Sequence, residues 1–392
     1  MQTIQQRFQV AYEYAIFFTE NLFDQNNPLL KTFFGNYTEQ GFQRKALVIV
    51  DAGFADFHPK LAGDIQTYFS NSVQHISLAP EVIIVPGGEA SKNDPALFDK
   101  LCEAVDVHGI DRHSFIIGIG GGAVLDLVGY AAAVSHRGIK LIRIPTTVLS
   151  QNDSGVGVKN SINFHGKKNF LGTFAPPVAV FNDLTFLRTL DDRDWRAGIA
   201  EAIKVALIKD VSFFNWIEEN ALALANRDEK VMSYLIHRCA QMHTDHIGGG
   251  DPFEFGSSRP LDFGHWAAHK LEYLTDFEVK HGEAVAIGIA LDCVYAVKIN
   301  MLPESDLQRI LEVLSLLGFD LYHPKLAEND KINLRNGLQE FREHLGGRLT
   351  IMLLEKIGKG VEVHELDAGI IASAVDYLET KTINTSVLEA KI

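Results

Sequence analysis

The sequence predicts an α/β N-terminal nucleotide-binding domain followed by an all-helical C-terminal domain. Three observations carry that prediction. Short β-branched runs alternate with helical patterns up to about residue 185, glycine turns follow two of those runs, and beyond residue 185 long segments repeat apolar residues at threes and fours. The expected domains are therefore 1–185 and 186–392, with a crevice between them as the default ligand site.

In order, strands are expected at Ala46 to Val50, Glu81 to Pro86, Ser114 to Ile119, Lys140 to Pro145 and Val178 to Phe181, where β-branched residues dominate. Ser91 to Val107 places Leu97, Phe98, Leu101 and Val105 at near-helical spacing, and Ala123 to Val134 reads as a helix after a glycine turn. The repetition implies a mainly parallel sheet. Further on, helices are expected at Trp195 to Lys209, Lys230 to His246, Asp262 to Leu274, Gly282 to Lys298 and Ser305 to Leu317, punctuated by Gly or Pro.

Bulk composition agrees with two cores: the chain has 392 residues, 46% of them apolar. A net charge of -14 disfavours a nucleic-acid binder but not a small anion held by local cations. The start, MQTIQQRFQV, lacks the pattern of a secretory signal. Gly118 to Val134, interrupted by Asp126, fits a buried glycine turn and helix better than a membrane span. Cys102, Cys239 and Cys293 have no paired spacing, which argues against disulfides or a thiolate metal site and for a reducing, cytoplasmic compartment.

Gly118-Ile119-Gly120-Gly121-Gly122 lies between a strand and a helix, where free N–H groups can receive a pyrophosphate; close helix packing is the alternative. Its spacing departs from G-x-G-x-x-G. Pro86-Gly87-Gly88-Glu89, trailed by Lys92, is a second such turn. From Arg143 to Asn169 the chain concentrates Thr146, Thr147, Asp153, Lys159, Asn163, Lys167, Lys168 and Asn169, groups able to bind phosphate or hydroxyls, interleaved with apolar residues that argue for partial burial.

His265 and His269 share a helix face, His281 opens the next helix, and Glu201 sits inside an otherwise apolar helix, where an unpaired acid is costly. Two histidines, a carboxylate and an open position suit catalytic zinc; ordinary hydrogen-bonded histidines fit the same spacing. His243, Asp245 and His246 form a competing cluster before Gly248-Gly249-Gly250, a run that reads more simply as a helix stop.

Taken together, these segments resemble the dehydroquinate synthase superfamily, the sugar phosphate cyclases, over nearly the whole chain. The matching motifs are GGE-x-x-K at Gly87 to Lys92, GGG-x-x-x-D-x-x-G at Gly120 to Gly129, the stretch from Arg137 to Thr147, D-S-x-V-G-x-K at Asp153 to Lys159, and G-K-K-N at Gly166 to Asn169. They continue with A-E-x-I-K at Ala200 to Lys204, F-G-H-x-x-x-H at Phe263 to His269, and HGEAVAIG at His281 to Gly288. The resemblance implies zinc at Glu201, His265 and His281, with NAD held by Asp51, Glu89, Lys92, Gly121, Gly122, Asp126, Thr146, Thr147 and Thr189. It implies substrate contacts from Arg137, Asp153, Lys159, Lys168, Asn169 and Lys204. His269 becomes a proton-transfer candidate, and Lys204, Asp153 and Lys159 join it in the catalytic set.

Departures bear on the substrate. Members making dehydroquinate usually carry Asn where Asp262 stands, Arg where Ser258 stands beside a displaced Arg259, a lysine near Met242 and His243, and a D-K-K segment where Phe341 to Gly347 reads FREHLGG. The altered groups include partners for a substrate carboxylate. The tract from Ser154 to Asn160 and that from Gly166 to Pro177 resemble relatives that cyclise sedoheptulose 7-phosphate to valiolone-type products. Implied is an NAD- and zinc-dependent cyclase of that substrate, in which transient oxidation acidifies a C–H before phosphate leaves. The alternatives are 3-dehydroquinate synthase, an NAD-dependent metal alcohol dehydrogenase and a non-catalytic sugar-phosphate binder. A homodimer is expected, with neither nucleic acid nor membrane as partner.

Overall fold

β-branched runs pair side by side, and the computed structural model shows a parallel sheet of six strands. It describes residues 3–165, 167–250, 252–253, 262–344 and 349–389. Two compact units are present: Met1–Thr146 with Gly157–Thr185, and Thr147–Val156 with Phe186–Ile392. A short segment from within the first 185 residues thus groups with the C-terminal unit.

In the first unit the strands are β1 (Ala15–Thr19), β2 (Arg44–Asp51), β3 (Ile76–Val85), β4 (Phe115–Gly120), β5 (Lys140–Pro145) and β8 (Ala179–Asp183), in the order β1-β8-β5-β4-β2-β3. Five overlap the runs expected from sequence, which miss the first five residues of β3 and overrun β3, β4 and β8 by one residue each; β1 was not anticipated. Helices α1 (Leu29–Gly35), α2 (Ala52–Phe57), α3 (Leu61–Ser72), α4 (Pro95–Val107) and α5 (Gly122–Val134) connect them. Helix α4 starts at Pro95 rather than Ser91, because Asp94 caps it by accepting from the Ala96 N–H at 2.9 Å and Pro95 suits the first turn. Leu97, Leu101 and Val105 pack with Val124, Leu127 and Val128 of α5 and with sheet residues in a single core. Strand order reverses between β2 and β4, the topological switch point at which α/β sheets bind ligands.

The later part of the polar tract enters a hairpin, β6 (Lys159–Phe164) with β7 (Lys167–Phe174), antiparallel with Ile162 opposite Leu171. Asn160, Ser161 and Asn163 of β6 are all buried, on both faces of the strand, so apolar alternation could not reveal it.

The second unit is largely helical: α6 (Asp192–Lys209), α7 (Val211–Ala225), α8 (Glu229–Gly248), α9 (His265–Leu274), α10 (His281–Lys298), α11 (Glu304–Leu316), α12 (Ile332–His344) and α13 (Ala368–Glu389). It is not all-helical, since β9 (Ile351–Lys356) and β10 (Lys359–Val363) form an antiparallel pair. Among the described residues no helix is long and apolar enough to cross a membrane.

Candidate active site

Three helices of the second unit supply the metal candidates, and glycine crossings decide where they meet. A Cβ on Gly282 of α10 would lie 2.2 Å from the Ala197 carbonyl oxygen of α6, so only glycine permits that approach. A Cβ on Gly288 would lie 2.0 Å from the Gly264 oxygen. Gly264 has φ 76°, a left-handed conformation that delays the start of α9 to His265 rather than Asp262. The first crossing sets Glu201 beside His281, and the second brings His265 to the same point. His281 Nε2 and His265 Nε2 lie 3.2 Å and 3.5 Å from Glu201 Oε1.

The other ring nitrogens are engaged. His265 Nδ1 lies 3.0 Å from the Phe263 carbonyl oxygen and His281 Nδ1 3.2 Å from Glu272 Oε2. Both contacts are satisfied when Nδ1 carries the proton, which leaves two Nε2 lone pairs facing a carboxylate. Apart from its ion pair with Lys204, Glu201 is fully buried with neither oxygen hydrogen-bonded. Three acceptors converging without a proton between them fit a divalent cation. Burial alone would raise the Glu201 carboxyl, but the Lys204 ammonium holds it well below the usual range.

Asp292 of α10 holds the start of α9 in place. It is 1% exposed, and its two oxygens accept from Trp266 Nε1 at 2.8 Å and Gly264 N at 3.0 Å, the residues on either side of His265. Burial pushes its carboxyl up to about 7, against the opposing effect of those two donors. Trp266→Phe keeps the ring and removes one donor; zinc affinity, measured by chelator competition, should fall about tenfold. Unchanged affinity would show that the indole contact does not position His265.

Lys204 lies beside Glu201. Burial would lower its ammonium, but the Glu201 and Asp153 carboxylates raise it. Asp153, in the short helical turn Ser150–Ser154, pairs with His243 Nδ1 at 2.6 Å. Burial would raise its carboxyl; Lys204 and His243 hold it down. His269 is exposed on α9, its ring 6.0 Å from that of His281, and it joins Glu272 and His281 in a second group whose ligand atoms lie within 4.8 Å. Thr147 Oγ1 bonds Ser150 Oγ at 2.8 Å, and Thr189 Oγ1 donates to the Phe186 carbonyl at 3.4 Å. The competing cluster separates: His243 faces Asp153, while His246 Nδ1 lies 3.2 Å from Lys209 Nζ.

The first unit gathers a second set at the switch point. Asp51 ends β2 and caps α2 through the Gly53 N–H at 2.8 Å; a Cβ on Gly87 would lie 2.5 Å from its Oδ1, and one on Gly120 2.9 Å from its Cβ. Gly121 and Gly122 begin α5 with no side chain over its N–H groups, and Thr146 N donates to the Gly120 oxygen at 3.0 Å. These features suit a pyrophosphate approaching the backbone. Lys92, 4% exposed, donates to Asp126 Oδ2 at 2.8 Å, Ser161 Oγ at 3.2 Å and Asn169 Oδ1. Asn163 ties Glu89 in by donating to Oε1 at 2.9 Å. Asn169 therefore shares a network with Glu89, Lys92 and Asp126, whereas Lys159 stands exposed at the start of β6 and Lys168 half-buried in β7.

Arg137 is not brought to this set. It is exposed beyond the C-terminal end of α5, roughly 20 Å of helix away from Gly122. Ser258, Arg259, Gly166 and Leu345 to Gly347 lie outside the described residues. Sequence reasoning missed Glu272, Asp292, Ser161 and a paired role for His243. Glu272 had a signal, three residues after His269 on the same helix face; the others are joined only by tertiary packing.

Comparison with known proteins gives a consistent picture. The family described as 3-dehydroquinate synthase N-terminal matches residues 82–197, and that described as 3-dehydroquinate synthase C-terminal matches residues 198–337. A 3-dehydroquinate synthase from Dictyoglomus thermophilum is 36% identical, covering 75% of this chain and 81% of the relative. One from Nitratiruptor sp. is 40% identical, over 66% and 72% respectively. Among solved structures, ValA, a 2-epi-5-epi-valiolone synthase from Streptomyces hygroscopicus subsp. jinggangensis with NAD+ and Zn2+ bound, has a TM-score of 0.84 at 28% identity, covering 97% of this chain and 100% of that one.

Proposed function

The chain belongs to the 3-dehydroquinate synthase superfamily, and on that premise we propose that it is an NAD- and divalent-metal-dependent sugar-phosphate cyclase, a phosphate-eliminating carbon–oxygen lyase. The observation that carries this reading is the convergence of Glu201, His265 and His281 with their outer nitrogens already engaged. Bound NAD supplies reversible hydride acceptance, and the bound metal polarises the substrate oxygen being oxidised. Glu201, His265 and His281 would hold the metal; Asp51, Glu89, Gly121, Gly122 and Thr146 would line the dinucleotide. Lys204 keeps its proton and stabilises developing oxyanions, Asp153 orients hydroxyls with His243 behind it, and His269 relays protons. Lys159 and Lys168 would serve the substrate phosphate.

Two seven-carbon substrates compete. The curated relatives, at 36% and 40% identity, give 3-dehydroquinate synthase the stronger support from comparison. Sedoheptulose 7-phosphate is favoured by Asp262, a half-buried carboxylate close enough to Lys204 to raise its ammonium. An acidic substrate there would meet a like charge. Both substrates should be assayed side by side with NAD and zinc, following phosphate release and identifying the carbocycle by NMR. Turnover of sedoheptulose 7-phosphate, with the acid phosphate poor, is the outcome Asp262 predicts. Efficient conversion of the acid phosphate alone would assign 3-dehydroquinate synthase, and NADH accumulation with an alcohol would indicate a dehydrogenase. A homodimer is part of the same proposal.

A further inference from the structure

We infer that residues 4–16 pair antiparallel with the same residues of a second copy, centred on Val10, so that the sheet of the first unit continues across a two-fold axis; this rests on the homodimer proposed above. Strand β1 is an edge strand, with β8 as its neighbour in the sheet. The residues leading into it, 3–14, belong to no helix or strand, yet they expose Ile4 (96%), Phe8 (79%), Val10 (62%) and Tyr12 (60%). So dense a run of exposed apolar side chains marks an interaction surface.

Its period identifies the conformation. Phe8, Val10, Tyr12, Tyr14, Ile16 and Phe18 occupy alternate positions, with Arg7, Gln9, Ala11, Glu13 and Ala15 between them, so a strand pattern runs without interruption into β1. From Thr3 to Thr19 there is no Gly, Pro, Asn or Asp. The segment therefore lacks the residues of a tight turn and is unsuited to folding back on β1 as a hairpin. An exposed edge of this kind is a template for another chain.

The occupant follows from self-complementarity. Centred on Val10, an antiparallel pair sets Phe8 against Tyr12, Arg7 against Glu13 and Ile4 against Ile16 of β1, twice each by symmetry. Centring on Phe8 or Tyr12 instead would set Arg7 against Gln9 or Phe17. Neither Arg7 nor Glu13 has an ion-pair partner among the described residues. One register thus satisfies both charges and joins the apolar stripes of the two copies.

Full-length Val10→Cys, with NAD and zinc present, should form a disulfide-linked dimer under mild oxidation; wild type and Gln5→Cys, whose partner in this register is Ala15, should not. By sedimentation, Arg7→Glu should weaken the dimer about fivefold, and adding Glu13→Arg to it should restore the affinity. A stable dimer in which Val10→Cys links no faster than Gln5→Cys, with no rescue by the charge swap, would overturn this surface and leave the homodimer standing. An active monomer would overturn both, and the cyclase reading would survive either result.

Discussion

Replacing His281 by Ala should leave the fold in place and remove both the metal and turnover. His281 opens α10, but that helix is held at its start by Glu283, which accepts from the Lys280 N–H at 3.0 Å and from Arg193 Nε at 2.7 Å. The imidazole is thus dispensable for the helix. It is not dispensable for the cation, which would retain only Glu201 and His265. Loss of metal-assisted charge stabilisation should cost about 4 kcal/mol, roughly a thousandfold in turnover. His265→Ala should behave alike. Elemental analysis of the purified variants provides the check, and full metal occupancy in a protein lacking both histidines would reject this ligand set.

An effect of similar size is expected from a position that touches no ligand. Gly282→Ala adds one methyl group where 2.2 Å separates the would-be Cβ from the Ala197 carbonyl. Two backbones cannot yield as a side-chain tip can, so α10 must move away from α6. Overpacking of this kind costs about 3 kcal/mol. The same displacement carries His281 away from Glu201, so zinc affinity should fall together with the denaturation midpoint. A variant that melts early but binds zinc as wild type would show that the crossing serves packing alone.

Much of this arrangement was legible in the residues. Runs such as Lys140 to Pro145 declared themselves through β-branching, and Glu201, His265, His269 and His281 stood out because an acid inside an apolar helix and histidines on one helix face need an explanation, although only the family resemblance singled out Glu201, His265 and His281 among them. The hairpin of β6 and β7 did not, since Asn160, Ser161 and Asn163 are buried beside Ile162 and break the apolar pattern, with Lys92 bonded to Ser161 and Asn169. Asp292 was equally silent: nothing in IALDCVYA distinguishes a clamp on the neighbouring helix from a stray acid. The first strand escaped because Ala15–Thr19 is short and sits at the end of a longer alternating run.

The grouping of Thr147–Val156 with the C-terminal unit has a consequence for dividing the protein. Asn152 donates to the Gly198 carbonyl of α6 at 2.7 Å, Asp153 holds His243 of α8, and a Cβ on Gly198 would strike Leu149 N at 2.4 Å. This ten-residue insert is a plug seated in the helical unit but delivered by the other half of the gene. A fragment beginning at residue 186 would keep all three proposed metal ligands yet lose the plug, baring the face of α6 beside Glu201. Two consecutive gene halves are therefore not two independent modules, and grafting the helical half onto another nucleotide-binding sheet would require that sheet to carry the same insert.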